Sequence, residues 1–382
     1  MLKLTKLLTL YIFCCFSCAD KTSSIPKVIN TKFANKISLE LSDSVFFSID
    51  STTSIYTPSL QYFEAKRNIL AFLNTNNNSA YLFDYESRKL NKVIRFENEG
   101  PNGVGPIEGF KIHNFDTFMV NSRYKLFLTD TTGKPFFNFD FYKNRPPDLE
   151  VTGLIANETK RPMEIMGNKA YVDVMPDVDF SDLDQISQSK VKFILDLKTN
   201  SYTADLNYTD NYLEGVFGVH YLEFISSTYN PNTKKFIYSF PANSQIIETD
   251  HKLIHNEYYA GSTCCNEIPY QKTKNPSKKE YHQHYATSPF FDNIKYDKYR
   301  DLYYRVVMLP MSVENFTARN WKREIVIIIL DSSFNKIGEV SFDKNANLNP
   351  DMMYITPDGV NIHKTGKKED FLCFYTFTIK NI

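Results

Sequence analysis

From about Ile37 onward, short aromatic or β-branched runs alternate with turns rich in Asn, Asp, Lys and Gly. No stretch sustains a helical period, so the pattern predicts strands throughout. Several runs share one form: an apolar strand ending in Asp, a polar turn, then a second amphipathic strand. Ala80–Asp84 leads through Tyr85–Asn91 to Lys92–Phe96, and Lys125–Asp130 leads through Thr132-Gly133 to Pro135–Phe141. Lys192–Asp196 and Tyr202–Leu206 repeat the form, as do Ile325–Asp331 and Lys336–Phe342.

Such a unit matches the outer hairpin of a propeller blade, repeated around an axis every ~40–50 residues. The repeat answers a physical need: one sheet cannot bury both faces alone, whereas radial stacking covers each blade with its neighbours. At that period, about 350 residues make roughly seven to nine units, or six with long loops. Ile37–Ile49 and Phe371–Ile379 are placed to share the closing blade. A pair of irregular β-sandwiches is the alternative all-β architecture.

The first residues are of another kind. Lys3 and Lys6 precede a mostly apolar run from Leu7 to Phe16, followed by Ser17-Cys18-Ala19-Asp20. A basic start and a short apolar stretch form a secretory signal, too short for the ~20 apolar residues of a membrane span. Small Ser17 before Cys18 suits a lipoprotein signal peptidase, although Cys15 stands where Leu is usual. The expected organisation is a signal over residues 1–17, a lipidated tether over 18–33 and one domain over 34–382. An ordinary secretory signal with a chance cysteine is the alternative. Acyl chains on Cys18 would anchor the protein, each buried methylene contributing about 0.8 kcal/mol.

Composition supports β structure, with 31 Phe and 25 Tyr against a single Trp. Glycine, at 13, is scarce for a turn-rich chain, so Asn and Asp are expected to carry many turns. Without Lys3 and Lys6, 42 basic residues face 44 acidic ones, a net charge of about −2. That balance gives no electrostatic case for nucleic acid or a polybasic membrane surface. Cys264, Cys265 and Cys373 are too few for a disulfide framework. A strained vicinal bridge, one bridge to Cys373 and free thiols all stay open.

Three segments carry a family resemblance: Glu99–Gly105, Tyr296–Arg305 and the tract Ser44–Phe63. Together they resemble a family of uncharacterised Bacteroidetes lipoproteins with a domain of unknown function of about this length. That family in turn looks like the six-bladed, TolB-like propellers. The resemblance implies envelope location and six blades of four antiparallel strands, and it implies no activity.

Candidate chemistry is sparse. The Gly100–Gly105 loop, with Asn102, lacks the Lys-Ser/Thr and the following helix of a phosphate cradle, and reads as a loop at a blade junction. In a strand over Asp301–Leu309, Tyr303 and Arg305 share one face. With Arg300 they would offer guanidiniums and an aromatic face to a carboxylate or sugar if that strand lines the axis; blade-to-blade pairing is the alternative. Asp177–Asp184 has acidic spacing but fails the EF-hand pattern at Asp182 and Gln188. His282 and His284 would share a strand face without a third ligand nearby. No metal, cofactor or catalytic set is assigned.

The chain therefore reads as an outer-membrane-anchored lipoprotein, periplasmic or surface-facing, monomeric, and acting as a binding or scaffold module. Its ligand would be a glycan, peptide or protein. The rival is a glycan-active hydrolase or lyase whose carboxylates lie on different blades of the central funnel.

Overall fold

The computed structural model describes residues 27–29, 31–217, 222–273, 276–366 and 370–382. The signal, Cys18 and most of the expected tether lie outside the described residues. The chain forms a six-bladed β-propeller, each blade built on four antiparallel strands.

Two strands precede the first blade: β1 (Lys27–Ile29) and β2 (Ile37–Ser48). Blade 1 holds β3 (Leu60–Phe63), β4 (Ile69–Asn74), β5 (Ser79–Asp84) and β6 (Leu90–Arg95), from the axis outward. Blade 2 holds β7 (Gly109–Ile112), β8 (Phe118–Ser122), β9 (Lys125–Thr129) and β10 (Pro135–Asp140). Blade 3 has a broken inner edge, β11 (Gly153–Ala156) and β12 (Glu164–Met166), both paired with β13 (Lys169–Pro176). Short helix α1 (Leu183–Gln188) then leads into β14 (Lys190–Asp196) and β15 (Ser201–Asn207). Blade 4 holds β16 (Ser226–Asn230), β17 (Lys235–Ser239), β18 (Gln245–Thr249) and β19 (His255–Tyr259). After α2 (Lys278–Thr287), blade 5 holds β20 (Phe290–Asp297), β21 (Leu302–Met308), β22 (Ile325–Leu330) and β23 (Lys336–Phe342), with α3 (Val313–Thr317) between β21 and β22. Blade 6 holds β24 (Leu348–Thr356), β25 (Gly359–Lys364) and β26 (Phe371–Asn381), and β2 is its outer strand. The expected pairing of the two chain ends is thus present, running from Ile37↔Asn381 to Ser48↔Phe371.

The end of the expected tether is paired to the ring. β1 adds in parallel to the edge of β19, and Ala34 and Lys36 donate their amides to Lys336 and Ile337 carbonyls of blade 5.

Strand periodicity explains the packing. In β22 every residue is buried, because alternate side chains serve opposite neighbours. Ile325, Ile327 and Ile329 pack with Ile37, Val360 and Phe377 of blade 6, while Val326, Ile328 and Leu330 join the blade 4 side. β9 does the same, with Leu126 and Leu128 toward blade 3 and Phe127 toward blade 1. Each fully buried aliphatic contributes roughly 1.5–3 kcal/mol.

The recurrent Asp of the outer hairpins also has its reason. Asp84 accepts from the Ser87 amide and hydroxyl, and Asp130 from the Thr132 hydroxyl and the Thr132 and Lys134 amides. Asp196 and Asp331 accept amides of their own turns in the same way. Hydrogen bonds from Ser87, Thr132 and the Lys198 amide hold the Asp84, Asp130 and Asp196 carboxyls below the usual range. The expectation that Asn and Asp supply the turns holds at Asn78, Asn200, Asp301 and Asn347, which have positive φ. Arg88, Arg123, Lys234 and Phe334 adopt it too, each in a turn between paired strands and each costing roughly 1–2 kcal/mol.

Candidate functional site

Where the inner edge of blade 3 breaks, residues 157–161 leave the sheet and cross the axis. Asn157 accepts from Ser59 Oγ of the loop entering blade 1 (2.8 Å) and from the Phe110 amide of blade 2 (3.2 Å). Its side-chain amide donates to the Met119 carbonyl at 3.0 Å. Thr159 donates its amide to the Pro58 carbonyl and accepts the Leu60 amide on Oγ1 at 2.8 Å. The Lys160 carbonyl accepts the Ser227 amide of blade 4. Lys160 Nζ reaches Asp292 of blade 5 and Asp351 of blade 6, both at 2.8 Å. This one pentapeptide touches all five other blades, and a funnel lies on either side of it, the upper lined almost wholly by blades 5 and 6 and the lower by all six blades.

The upper funnel, about 610 Å³, opens at the starts of β20 and β24. Its floor is the Lys160–Asp292–Asp351 triad. Both carboxylates contact one ammonium, so their bonded oxygens lie within twice the 2.8 Å contact of each other. Burial pushes the Asp292 carboxyl up to about 6, with Asp351 adding to the rise. Burial would raise Asp351 too, but the Lys160 ammonium outweighs it and holds that carboxyl low. Asp292 Oδ2 is buried without a hydrogen-bond partner among the described residues. Tyr285 and Phe290 form walls. Trp321, 55% exposed and edge-on to Phe316, stands at the rim with Arg319, Lys322 and Lys344.

The lower funnel, about 560 Å³, opens at the opposite ends of the same strands. Tyr62, Tyr229, Tyr296 and Tyr354 line it together with apolar Phe110 and Met353. Lys111 is paired with Glu164 at 2.5 Å. Lys295 donates to the Thr159 carbonyl of the crossing loop. Burial, with Lys111 and Lys160 nearby, pushes its ammonium down to about 7.

The residues singled out in sequence lie elsewhere. Tyr303 and Arg305 do share a face, but β21 is the second strand of its blade and does not line the axis. Arg305 is fully buried and donates to Ser239 Oγ and to the Asn243, Ser244, Gln245 and Ala260 carbonyls. The Tyr303 hydroxyl accepts from Asn230 at 2.7 Å. Arg300 joins blades 5 and 6 through Asp297 (2.9 Å) and the Thr356 and Pro357 carbonyls. Asn102 is half-buried in the junction loop between blades 1 and 2, apart from both funnel linings. There Gly100 and Gly105 take positive φ, and Asn78 Nδ2 donates to the Gly105 carbonyl. His282 and His284 sit on α2, a correction to the expected strand, because Ser277 and Glu280 form a capping box that starts a helix. His284 Nε2 lies 2.9 Å from the Pro269 carbonyl. Asp179 and Asp182 bond to hydroxyls and amides of their own loop. No disulfide joins the folded cysteines: Cys264 and Cys265 sulfurs are 3.6 Å apart, and Cys373 is buried in β26.

The axial residues Lys111, Lys160, Lys295, Asp292 and Asp351 were not singled out in sequence. Their one local signal is a charge set inside an aromatic or β-branched run, as in Phe110-Lys111-Ile112 and Ile294-Lys295-Tyr296.

Residues 36–341 match the family model described as a domain of unknown function, DUF4221. A crystal structure of a DUF4221 member from Bacteroides vulgatus ATCC 8482 is similar with TM-score 0.79 at 20% identity, covering 91% of this chain and 99% of that one. A protein of Bacteroides fragilis NCTC 9343, described as a candidate exported protein, is similar with TM-score 0.52 at 10% identity, covering 93% of this chain and all of that one. No curated protein matches the chain.

Proposed function

The chain belongs to the DUF4221 family, and from that premise we propose that it is an envelope-anchored binding module that takes a glycan in its upper funnel. The observation carrying this reading is the juxtaposition of exposed Trp321 with an unpartnered acceptor, Asp292 Oδ2, on a closed floor. An aromatic face stacks on a sugar ring, and a buried carboxylate accepts hydroxyls where water is excluded. A blind-ended funnel holds a ligand without passing it through. The anchor is a lipid on Cys18, in the outer membrane, and the body is monomeric. The signal-like start supports export, as does the described character of the Bacteroides fragilis neighbour. Among the described residues, no helix is long and apolar enough to cross a membrane.

Because Trp321 is the single tryptophan, its fluorescence reports the upper funnel directly. Titration with a panel of neutral and acidic oligosaccharides should quench or shift its emission saturably. Asp292→Asn should weaken that response, and a flat response to every glycan would overturn the reading.

A second reading, a glycan-active enzyme, is favoured by the opposed shifts of Asp292 and Asp351, the pattern of a general acid beside an ionised partner. Against it, the Lys160 ammonium bridges the two carboxylates. Release of reducing sugar by the native chain but not by Asp292→Asn would establish the enzyme.

A further inference from the structure

The lower funnel carries a charge the fold leaves unanswered. Lys111 is compensated by Glu164, and Lys160 by Asp292 and Asp351. Lys295, half-buried at the funnel floor, has no carboxylate in ion-pairing range among the described residues; its one acceptor is the Thr159 carbonyl. An ammonium has three donors, and a desolvated one with a single neutral acceptor is poorly stabilised. One unanswered positive charge matches one negative charge, so a dianion such as phosphate would overfill the site. The other charges of the lining are paired, Lys111 with Glu164, Lys298 with Glu64 and Glu158 with Arg161, and the remaining wall of Tyr62, Tyr229, Tyr296, Tyr354, Phe110 and Met353 is aromatic and apolar.

We propose that the lower funnel is a second binding site, distinct from the glycan funnel, that takes an aromatic monocarboxylate with its carboxylate on Lys295. The same electrostatics give the site a signature that mere adhesion lacks. Burial, with Lys111 and Lys160 nearby, pushes Lys295 down to about 7, and the Glu164 carboxylate offsets this only in part. A bound carboxylate favours the ammonium and raises that value. Above neutral pH, binding must therefore draw a proton from solution; below about pH 6 the amine is already charged and uptake fades.

The test is calorimetric titration of the intact mature chain with benzoate and 4-hydroxyphenylacetate, in two buffers of different ionisation enthalpy. At about pH 8 roughly one proton should be taken up per ligand, since a group with pKa near 7 is then about nine-tenths neutral. Lys295→Met should weaken binding about tenfold or more and remove the proton uptake. It should keep or raise the melting temperature, because it deletes a buried unpaired charge and preserves the stem. Trp321→Ala, at the other end of the axis, should leave carboxylate binding unchanged, which separates failure here from failure of the glycan reading. No heat from either carboxylate at millimolar concentration would overturn the proposal. So would binding without proton uptake, undiminished binding in Lys295→Met, or inorganic phosphate binding as tightly as benzoate.

Discussion

Arg305→Met is the sharpest test of the claim that blade 5 is locked to blade 4 by one guanidinium. The side chain is fully buried, with its Cζ 3.6 Å from the Phe291 ring centre. Its five hydrogen bonds go to Ser239 Oγ and four main-chain carbonyls, all between 2.6 and 3.2 Å. Burial pushes its pKa down to about 9, so the site tolerates the charge only because those acceptors surround it. Methionine keeps the apolar stem on Phe291 but strands the acceptors. At about 1 kcal/mol for each bond lost in a buried setting, the loss is roughly 5 kcal/mol. A domain of about 350 residues unfolds with an entropy near 0.7 kcal/mol per degree, so the melting temperature should fall by about 7 °C. Differential scanning calorimetry or a circular-dichroism melt reads this directly. Arg300→Ala, whose guanidinium is partly exposed, should fall by about half as much. A loss below about 2 °C for Arg305→Met would refute the reasoning, and would mean that water or a repacked turn can answer those carbonyls.

Three further outcomes are expected. His363 is buried with Nδ1 unpartnered among the described residues, and burial pushes its pKa down to about 4. The unfolded chain therefore takes up this proton first as pH falls below about 6.5, and the fold loses roughly 3 kcal/mol between there and about pH 4; in His363→Leu, chemical-denaturation curves should show that much less acid sensitivity. Gly109→Ala would set a methyl 2.2 Å from Asn121 Oδ1 and 2.4 Å from the Asn157 carbonyl, so it should destabilise the crossing loop and lower the melting temperature more than Gly167→Ala, which meets no neighbour and bears only the strain of its left-handed φ of 60°. Cys18→Ala should leave unprocessed precursor and abolish metabolic labelling with palmitate, and normal labelling would remove the lipid anchor from the account.

Much of the propeller is legible in the sequence because its outer hairpins are closed by local chemistry. Asp84, Asp130, Asp196 and Asp331 bind amides two to four residues ahead, so the signal and its cause lie in one short window. The blade 4 hairpin follows the same rule at Asp250 but was not singled out, since its strands are less apolar on their outer side. The two chain ends could be paired because both read as long strands. The axis is a different matter. Lys160 and Asp351 are almost two hundred positions apart in sequence, and nothing local marks them as neighbours. Strand alternation correctly put Tyr303 beside Arg305, yet it cannot say whether a strand is first or second from the axis. The break in the inner edge of blade 3 carries no hydrophobic signature at all, because Asn157–Arg161 is polar and its partners come from every other blade.

That crossing loop makes the molecule behave as a coincidence detector for its own completion. Its partners run from Pro58 to Asp351, and the ring itself shuts only when β2 meets β26. A chain cut before β26 keeps every partner of the loop but leaves the ring open, so those partners are no longer held together around it. Closure of the outer edge and completion of the axial floor are thus one cooperative event, though they lie at opposite radii of the ring.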